Sequence, residues 1–338
     1  LESESYTQLT RLLKNELKKD GTQFQLSHIL AGIYHIEKKY KKALALYETL
    51  KRQKQITTPQ SMLNLALCYS ETGRLSQSVF WLNRYEKTFG SSVQLLNAKL
   101  TVALLKKKVP HIQSALNQIV TYYKETPQEG LTEDIILNMF SAYYKLKQYT
   151  KAVQTIKKLP EASYTKDTWV DLAKSLHQLK QYDIQSMILK KALSIYPNDL
   201  YLSLQLSKFY RESGSFQQEK DSLLQLKGHS LYDVIEARVK LMIPNFFESI
   251  DDMNSFRKGY LKRLKTVKVK RWKNPYKMLR LIGDPYFYLT YQGFNEVKSV
   301  TQLSRLFAPI LPKTYRSNSV KQKKKKDNRI RVGIITSH

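Results

Sequence analysis

The sequence predicts an all-α chain: an array of about six helix pairs, a helical spacer, and then one β-strand whose sheet lies beyond residue 338. Three observations predict this. Small residues and aromatics recur in register at spacings of 35, 37, 37, 33 and 34 residues. Capped segments with one apolar face continue after residue 228, but without that register. The run Ile330-Arg331-Val332-Gly333-Ile334-Ile335-Thr336 reads as a strand, and a strand with no partner can bury neither face. Because Leu1 also stands where an initiator Met would, the chain is expected to be an internal segment of a longer polypeptide.

Residues 1–23 are expected to form an N-terminal helix or cap, and residues 24–228 the array. Its defining column is Ala31, Ala66, Ala103, Phe140, Ala173 and Ser207. Three residues on stand Tyr34, Tyr69, Lys106, Tyr143, Leu176 and Tyr210, and nine on Tyr40, Leu75, Ile112, Tyr149, Tyr182 and Phe216. A further column holds Ala43, Ser78, Ala115 and Ala152, then lapses to Gln185 and Glu219. Two short helices approach closely only where a small side chain sits at their crossing, and a flanking aromatic fills the space beside it. Each unit is therefore a helical hairpin. Gly73 and Gly214 fall at the turn, where positive φ is useful, and Pro127 and Pro197 fall near the end of second helices. These columns resemble the tetratricopeptide repeat family, in six copies over about residues 24 to 228.

That resemblance implies a superhelix whose first helices line a concave groove. Two residues before the small column lie Ile29, Asn64, Thr101, Asn138, Asp171 and Gln205, five of them polar beside core positions. An asparagine carries a donor and an acceptor, so a row of such groups can pair with the backbone of an extended peptide whatever its side chains. Asn64, Asn138, Thr101, Asp171 and Gln205 are the candidate peptide-binding residues, with Asn64 and Asn138 foremost, and protein or peptide acceptors are the expected partners. A carboxylate clamp of the chaperone-adaptor kind is disfavoured, because Gly32 and Thr101 occupy positions where it needs Asn and a basic residue.

Residues 229–320 read as a helical spacer. Pro244 breaks the chain, Ser249-Ile250-Asp251-Asp252 reads as a capping box, and Ile250, Met253, Phe256, Tyr260 and Leu264 follow on one face. After the apolar run Tyr286 to Leu289, Asn295 can cap a last helix with the apolar face Val300, Leu303, Leu306, Phe307 and Ile310, ended by Pro309 and Pro312. Residues 321–338 hold a basic linker, Lys323 to Lys326, and the strand.

The order Leu241-Met242-Ile243-Pro244 with Phe247-Glu248-Ser249, then Phe287-Tyr288-Leu289-Thr290-Tyr291-Gln292-Gly293 with Asn295, then Arg329 to Ser337, resembles the linker region of SPINDLY-type protein O-linked glycosyltransferases. In that family, which shares this layout with O-GlcNAc transferases, the repeats precede a two-lobed GT-B, Rossmann-like transferase. The resemblance implies transfer of a sugar from a nucleotide donor, UDP-GlcNAc or GDP-fucose, to Ser or Thr hydroxyls of intracellular proteins, and a cytoplasmic or nucleocytoplasmic location. The segment itself is expected to hold no cofactor and no catalytic residue. His338 lies short of the family's catalytic histidine and is not assigned that role.

Composition bounds the alternatives. The formal net charge of +29 invites nucleic acid, but 43 of the 57 basic residues are lysines, scattered along helices, whereas phosphate recognition favours the guanidinium fork. Nucleic-acid binding is thus disfavoured. One cysteine, Cys68, excludes an internal disulfide and a multi-cysteine metal site, and reads as core filler suited to a reducing compartment. His28 and His35 lie two turns apart with no carboxylate at a ligating offset, so no metal is expected. Glu133-Asp134 and Asp251-Asp252 stand at helix starts, where negative charge offsets the dipole. Trp169, four residues before Ala173, takes a first-helix aromatic position. No apolar run is long enough to cross a bilayer.

Overall fold

The computed structural model describes residues 2–19, 23–126, 128, 130–268, 274–283, 289 and 292–308. Among these the regular structure is entirely helical. The strand at 330–336, the lysine run 323–326, Pro127, Trp272, Pro309, Ile310, Pro312, the run from Phe287 to Tyr291 apart from Leu289, and His338 lie outside the described residues.

The chain divides into two compact units, Leu1–Ile188 and Leu189–His338. The first opens with α1 (Glu2–Lys19), then α2 (Phe24–Ile36) and α3 (Tyr40–Arg52), α4 (Pro59–Glu71) and α5 (Leu75–Phe89), α6 (Val93–Lys106) and α7 (Val109–Glu125), and α8 (Glu133–Lys145) and α9 (Tyr149–Ile156). Helix α10 (Lys166–Gln178) follows, and the boundary falls within α11 (Tyr182–Ile195). In the four pairs from α2 to α9 the two members pack on one another, and α2 touches α4, α4 touches α6, α6 touches α8 and α8 touches α10, so these first helices form one continuous layer.

The column logic explains this packing. Ala31, Ala43, Ala66, Ala103, Ala115, Ala152, Ala173, Ser78 and Ser207 are all buried. Phe140, the outsized member, is also buried at 1% exposure, and small Ala142 two residues on is fully buried. The aromatic plugs Tyr34 and Tyr69 are buried, and the Tyr69 hydroxyl donates to Glu48 Oε1. Trp169 is buried edge-on to Tyr164 at 5.0 Å, and the Tyr164 hydroxyl donates to the Ile156 carbonyl. Burying such a ring contributes on the order of 3 kcal/mol.

The turns repeat as well. Gly73 and Gly214 sit at φ 82° and 73°, as their column required, while Lys38, Lys147 and Lys180 hold the same slot at φ 57°, 58° and 58°. The third pair differs: Pro110 occupies that slot, α6 ends on left-handed Lys107, and proline starts α7 at once. Thr58 caps α4 through a reciprocal box with Ser61, a signal the columns do not contain.

The second unit continues from α11 with α12 (Leu200–Glu212), α13 (Phe216–Leu224), α14 (Tyr232–Leu241), α15 (Ile250–Thr266), α16 (Pro275–Ile282) and α17 (Val297–Phe307). Ser249 caps α15 as expected, accepting from the Asp252 amide at 3.0 Å. Tyr260 and Leu264 enter a core with Val234, Leu241, Met278, Leu289 and Leu303, whereas Ile250, in the first turn, is 71% exposed. Asn295 is not the cap of α17: the N-cap is Glu296, which makes no side-chain cap bond, and Asn295 one residue earlier accepts from the Val297 amide at 3.0 Å. On that helix the expected face is rotated: Leu303, Leu306 and Phe307 pack inward, but Val300 is exposed and Ser299 is buried instead. A serine loses little by burial in a helix, so packing rather than hydropathy sets the rotation. Likewise Gln185 and Glu219, where the small column lapses, are not pushed out to solvent. Both are buried, the first bonded to His177 Nδ1 and the second to Arg211.

Candidate functional site

The first-helix layer of the first unit encloses a groove of about 560 Å³. Four successive first helices build it: α2 gives Gly32 and His35, α4 gives Gln60 and Asn64, α6 gives Asn97 and Thr101, and α8 gives Thr132 and Asp134. Leu63 and Leu67 of α4, with Ile36, Val93, Ala98 and Ile135, form its apolar floor.

Along the groove, polar groups are tied together across the layer, some through Asn138, which lies behind the lining. Asn138 donates one amide hydrogen to Asn97 Oδ1 at 2.8 Å and the other to Thr101 Oγ1 at 3.1 Å, linking α8 to α6. What Asn138 can still offer a ligand is its oxygen, an acceptor for a backbone N–H. Asn64, at 9% exposure, donates to the Tyr47 hydroxyl at 3.1 Å and accepts from Gln60 at 2.8 Å. Tyr47 is pushed up to about 12 by burial and remains a neutral phenol. Asp171 is half-buried on α10, 3.6 Å from Lys174, and burial raises its pKa against the pull of that lysine. Gln205 lies half-buried on α12, in the second unit. The structure thus brings Asn64 and Thr101 to one groove and joins Asn138 to Thr101, while Asp171 and Gln205 lie on later first helices.

Reading one column of the sequence missed Gln60 and Asn97. They stand four residues before Asn64 and Thr101, a helical turn upstream, so a second polar row at Gln25, Gln60, Asn97, Asp134 and Asp167 was available in the same register. Only the contacts show that the two rows bond to each other. His35, also on the wall, is held below its usual pKa by burial.

The groove is lined without a single lysine or arginine, in a chain of net charge +29. Its chemistry is amide, hydroxyl and one exposed carboxylate over leucine. Elsewhere, Cys68 is fully buried and burial pushes its thiol up to about 12, leaving it protonated and inert. His28 bonds the Gln55 carbonyl at 3.0 Å and His229 accepts from the Leu231 amide, so neither is a poised ligand. Among the described residues no cluster of His, Cys, Asp and Glu could hold a metal, and no helix is long and apolar enough to cross a membrane.

Residues 167–199, which span α10 and α11, match the family model for the tetratricopeptide repeat. The fold is accordingly a tetratricopeptide-type array of helix pairs. Solved structures similar to the chain include a tetratricopeptide repeat protein from Parabacteroides merdae ATCC 43184, at 12% identity and TM-score 0.47, with 77% of this chain and 99% of that one covered. Another is the human IFIT1 dimer with m7Gppp-AAAA, at 15% identity and TM-score 0.34, covering 90% and 69%. No curated protein matches the chain.

Proposed function

We propose that the first-helix groove binds an extended polypeptide and that the chain works as a protein-interaction module. One observation carries this: three consecutive first helices, α4, α6 and α8, hold two bonded rows of amides and hydroxyls along an apolar-floored groove that has no lysine or arginine in its lining. Such rows match the alternating N–H and C=O groups of a main chain, and the floor takes alternate side chains. A polyphosphate ligand needs cations that this lining lacks. The test is binding of an unstructured, uncharged peptide library to the whole chain. Thr101→Ala with Asn138→Ala is expected to weaken a selected peptide about tenfold, from roughly 1 kcal/mol per hydrogen bond. Unchanged affinity in a folded double variant defeats the groove as the binding surface.

A more specific reading rests on the residue order at 241–249, 287–295 and 329–337. It makes the array, with the division at about residue 228, the acceptor-recruiting arm of a cytoplasmic or nucleocytoplasmic nucleotide-sugar:protein O-glycosyltransferase. Affinity gained in the groove, remote from the reacting hydroxyl, orients that hydroxyl for transfer. Assay of the native full-length polypeptide with UDP-GlcNAc and GDP-fucose decides it: labelled protein acceptors support the enzyme, and inertness with both donors leaves a scaffold.

A further inference from the structure

The second unit contains an unusual concentration of guanidinium groups around one hollow of about 490 Å³. Glu219, 3% exposed at its side chain, stands in the small-residue column of α13 and accepts from Nε of Arg211 on Oε1 at 2.7 Å, with Nη2 of that arginine in an ion pair 2.7 Å from the same oxygen. Arg238 from α14 brings its Nη2 to 4.0 Å from the same oxygen, with its side chain 14% exposed. Its Nη1 donates to the Leu281 carbonyl at the end of α16, at 2.9 Å, and its Nε is buried with no partner. Two guanidiniums, that of Arg211 half-buried and that of Arg238 more deeply so, therefore share one carboxylate.

The rim does not repair this imbalance. Lys208 and Glu212 form an exposed pair at 3.6 Å and cancel, while Arg280 on α16 adds another positive charge. Asn245 donates to the Arg211 carbonyl at 3.1 Å and fixes the wall beside the arginine. Counting the named groups, four cations face two anions, an excess of two positive charges. Arg238 carries the strain of this arrangement: burial first, then neighbouring Arg211, lowers its pKa to about 10 against the pull of Glu219.

We infer that the hollow between α12, α14 and α16 is an anion site that takes a phosphate monoester. A monoester dianion supplies the charge the cluster lacks, of about −1.5 to −2 at neutral pH, and three acceptor oxygens for guanidinium and ammonium donors. The hollow has room for more than the phosphate itself. This site is independent of the first-helix groove and does not rest on its proposed function.

The test uses the whole chain at low ionic strength, titrated calorimetrically with inorganic phosphate, O-phosphoserine and adenosine monophosphate, with acetate as a singly charged control. Phosphate-bearing probes are expected to bind and to raise the melting temperature, and acetate to do neither. Tighter binding of the organic probes assigns the ligand as a monoester with its organic group in the hollow; equal binding assigns the free ion. Arg211 and Arg238 are structural, so the variant is Lys208→Ala with Arg280→Ala, both exposed and expected to fold. It is expected to lose about tenfold or more in affinity, from two charge-assisted contacts. Lys157→Ala with Lys158→Ala, exposed and in the other unit, removes the same charge and is expected to change nothing. Equal losses in the two variants, or no binding by any phosphate probe at millimolar concentration, overturn the inference.

Discussion

At the scale of single residues, the turn lysines are the clearest place where sequence and backbone disagree. Lys38, Lys147 and Lys180 adopt the left-handed conformation that Gly73 and Gly214 adopt in equivalent turns, and for a residue with a Cβ this costs about 1 kcal/mol. Replacing Lys147 or Lys180 by glycine should therefore stabilise the fold by about 0.5–1 kcal/mol, less what glycine adds to unfolded-chain entropy. The reverse change, Gly73→Ala, meets no atom within 4 Å, so its expected loss of about 1 kcal/mol is conformational alone. Denaturant midpoints at constant slope would measure both; a lysine-to-glycine variant less stable than the parent refutes the strain. His35 gives a pH-dependent counterpart. Burial lowers its folded pKa, so the folded state binds fewer protons than the unfolded state between that value and about 6.5. Its contribution is fully present above that window and is lost as pH falls through the folded pKa. NMR titration should find its midpoint below 6.5, and His35→Gln should flatten stability between pH 7 and pH 5.

At the scale of elements, Glu219 decides how α12, α13 and α14 fit together. Where the first four repeats cross on alanine or serine, this one buries a carboxylate between two arginines. Burial raises its pKa more than Arg211 and Arg238 lower it. Removing it alone, as Glu219→Ala, leaves Arg238, the more buried of the two guanidiniums, without a counter-charge and should cost about 3 kcal/mol. Replacing the whole network by apolar groups, Arg211→Met and Arg238→Met with Glu219→Leu, should recover most of that loss, because no buried charge is then left without a partner. Thermal or chemical unfolding of both variants checks this; a single variant as stable as the parent would show the network to be incidental. Helix α17 teaches a related lesson. Its existence, its start to within one residue and its Leu303 contact were legible in the sequence, but its rotation was not, since Val300 and Ser299 are neighbours and only the α15 surface chooses between them.

At the scale of the whole molecule, the charge excess and the groove free of lysine and arginine make separable predictions. If a main chain is read by amides and leucines, affinity for a neutral peptide should change little between low and high salt. A single-stranded polyanion, drawn by scattered lysines, should bind with a steep negative salt slope. Parallel titrations of both ligands at two ionic strengths measure this, and a steep slope for the neutral peptide would move recognition out of the groove and onto the lysine-rich surface. The same contrast explains why composition alone misdirects: +29 is a sum over the chain, whereas a ligand meets only the residues lining its site.

The sequence by itself determined that the chain pairs helices, where each pair turns, and which small and aromatic residues meet at the crossings. Those properties follow from local periodicity and the volume of single side chains, both written in order along the chain. It also marked Asn64, Thr101 and Asn138 as unusual polar residues beside a core. Only the tertiary structure decided that Asn138 gives both its amide hydrogens to Asn97 and Thr101, and that Asn64 is bonded to Tyr47 and Gln60. It alone showed that Glu219 is buried because arginines from two other helices come to meet it. Partners separated by a whole repeat carry no mutual signal in a single sequence, because the distance between them is set by how helices stack rather than by where residues stand.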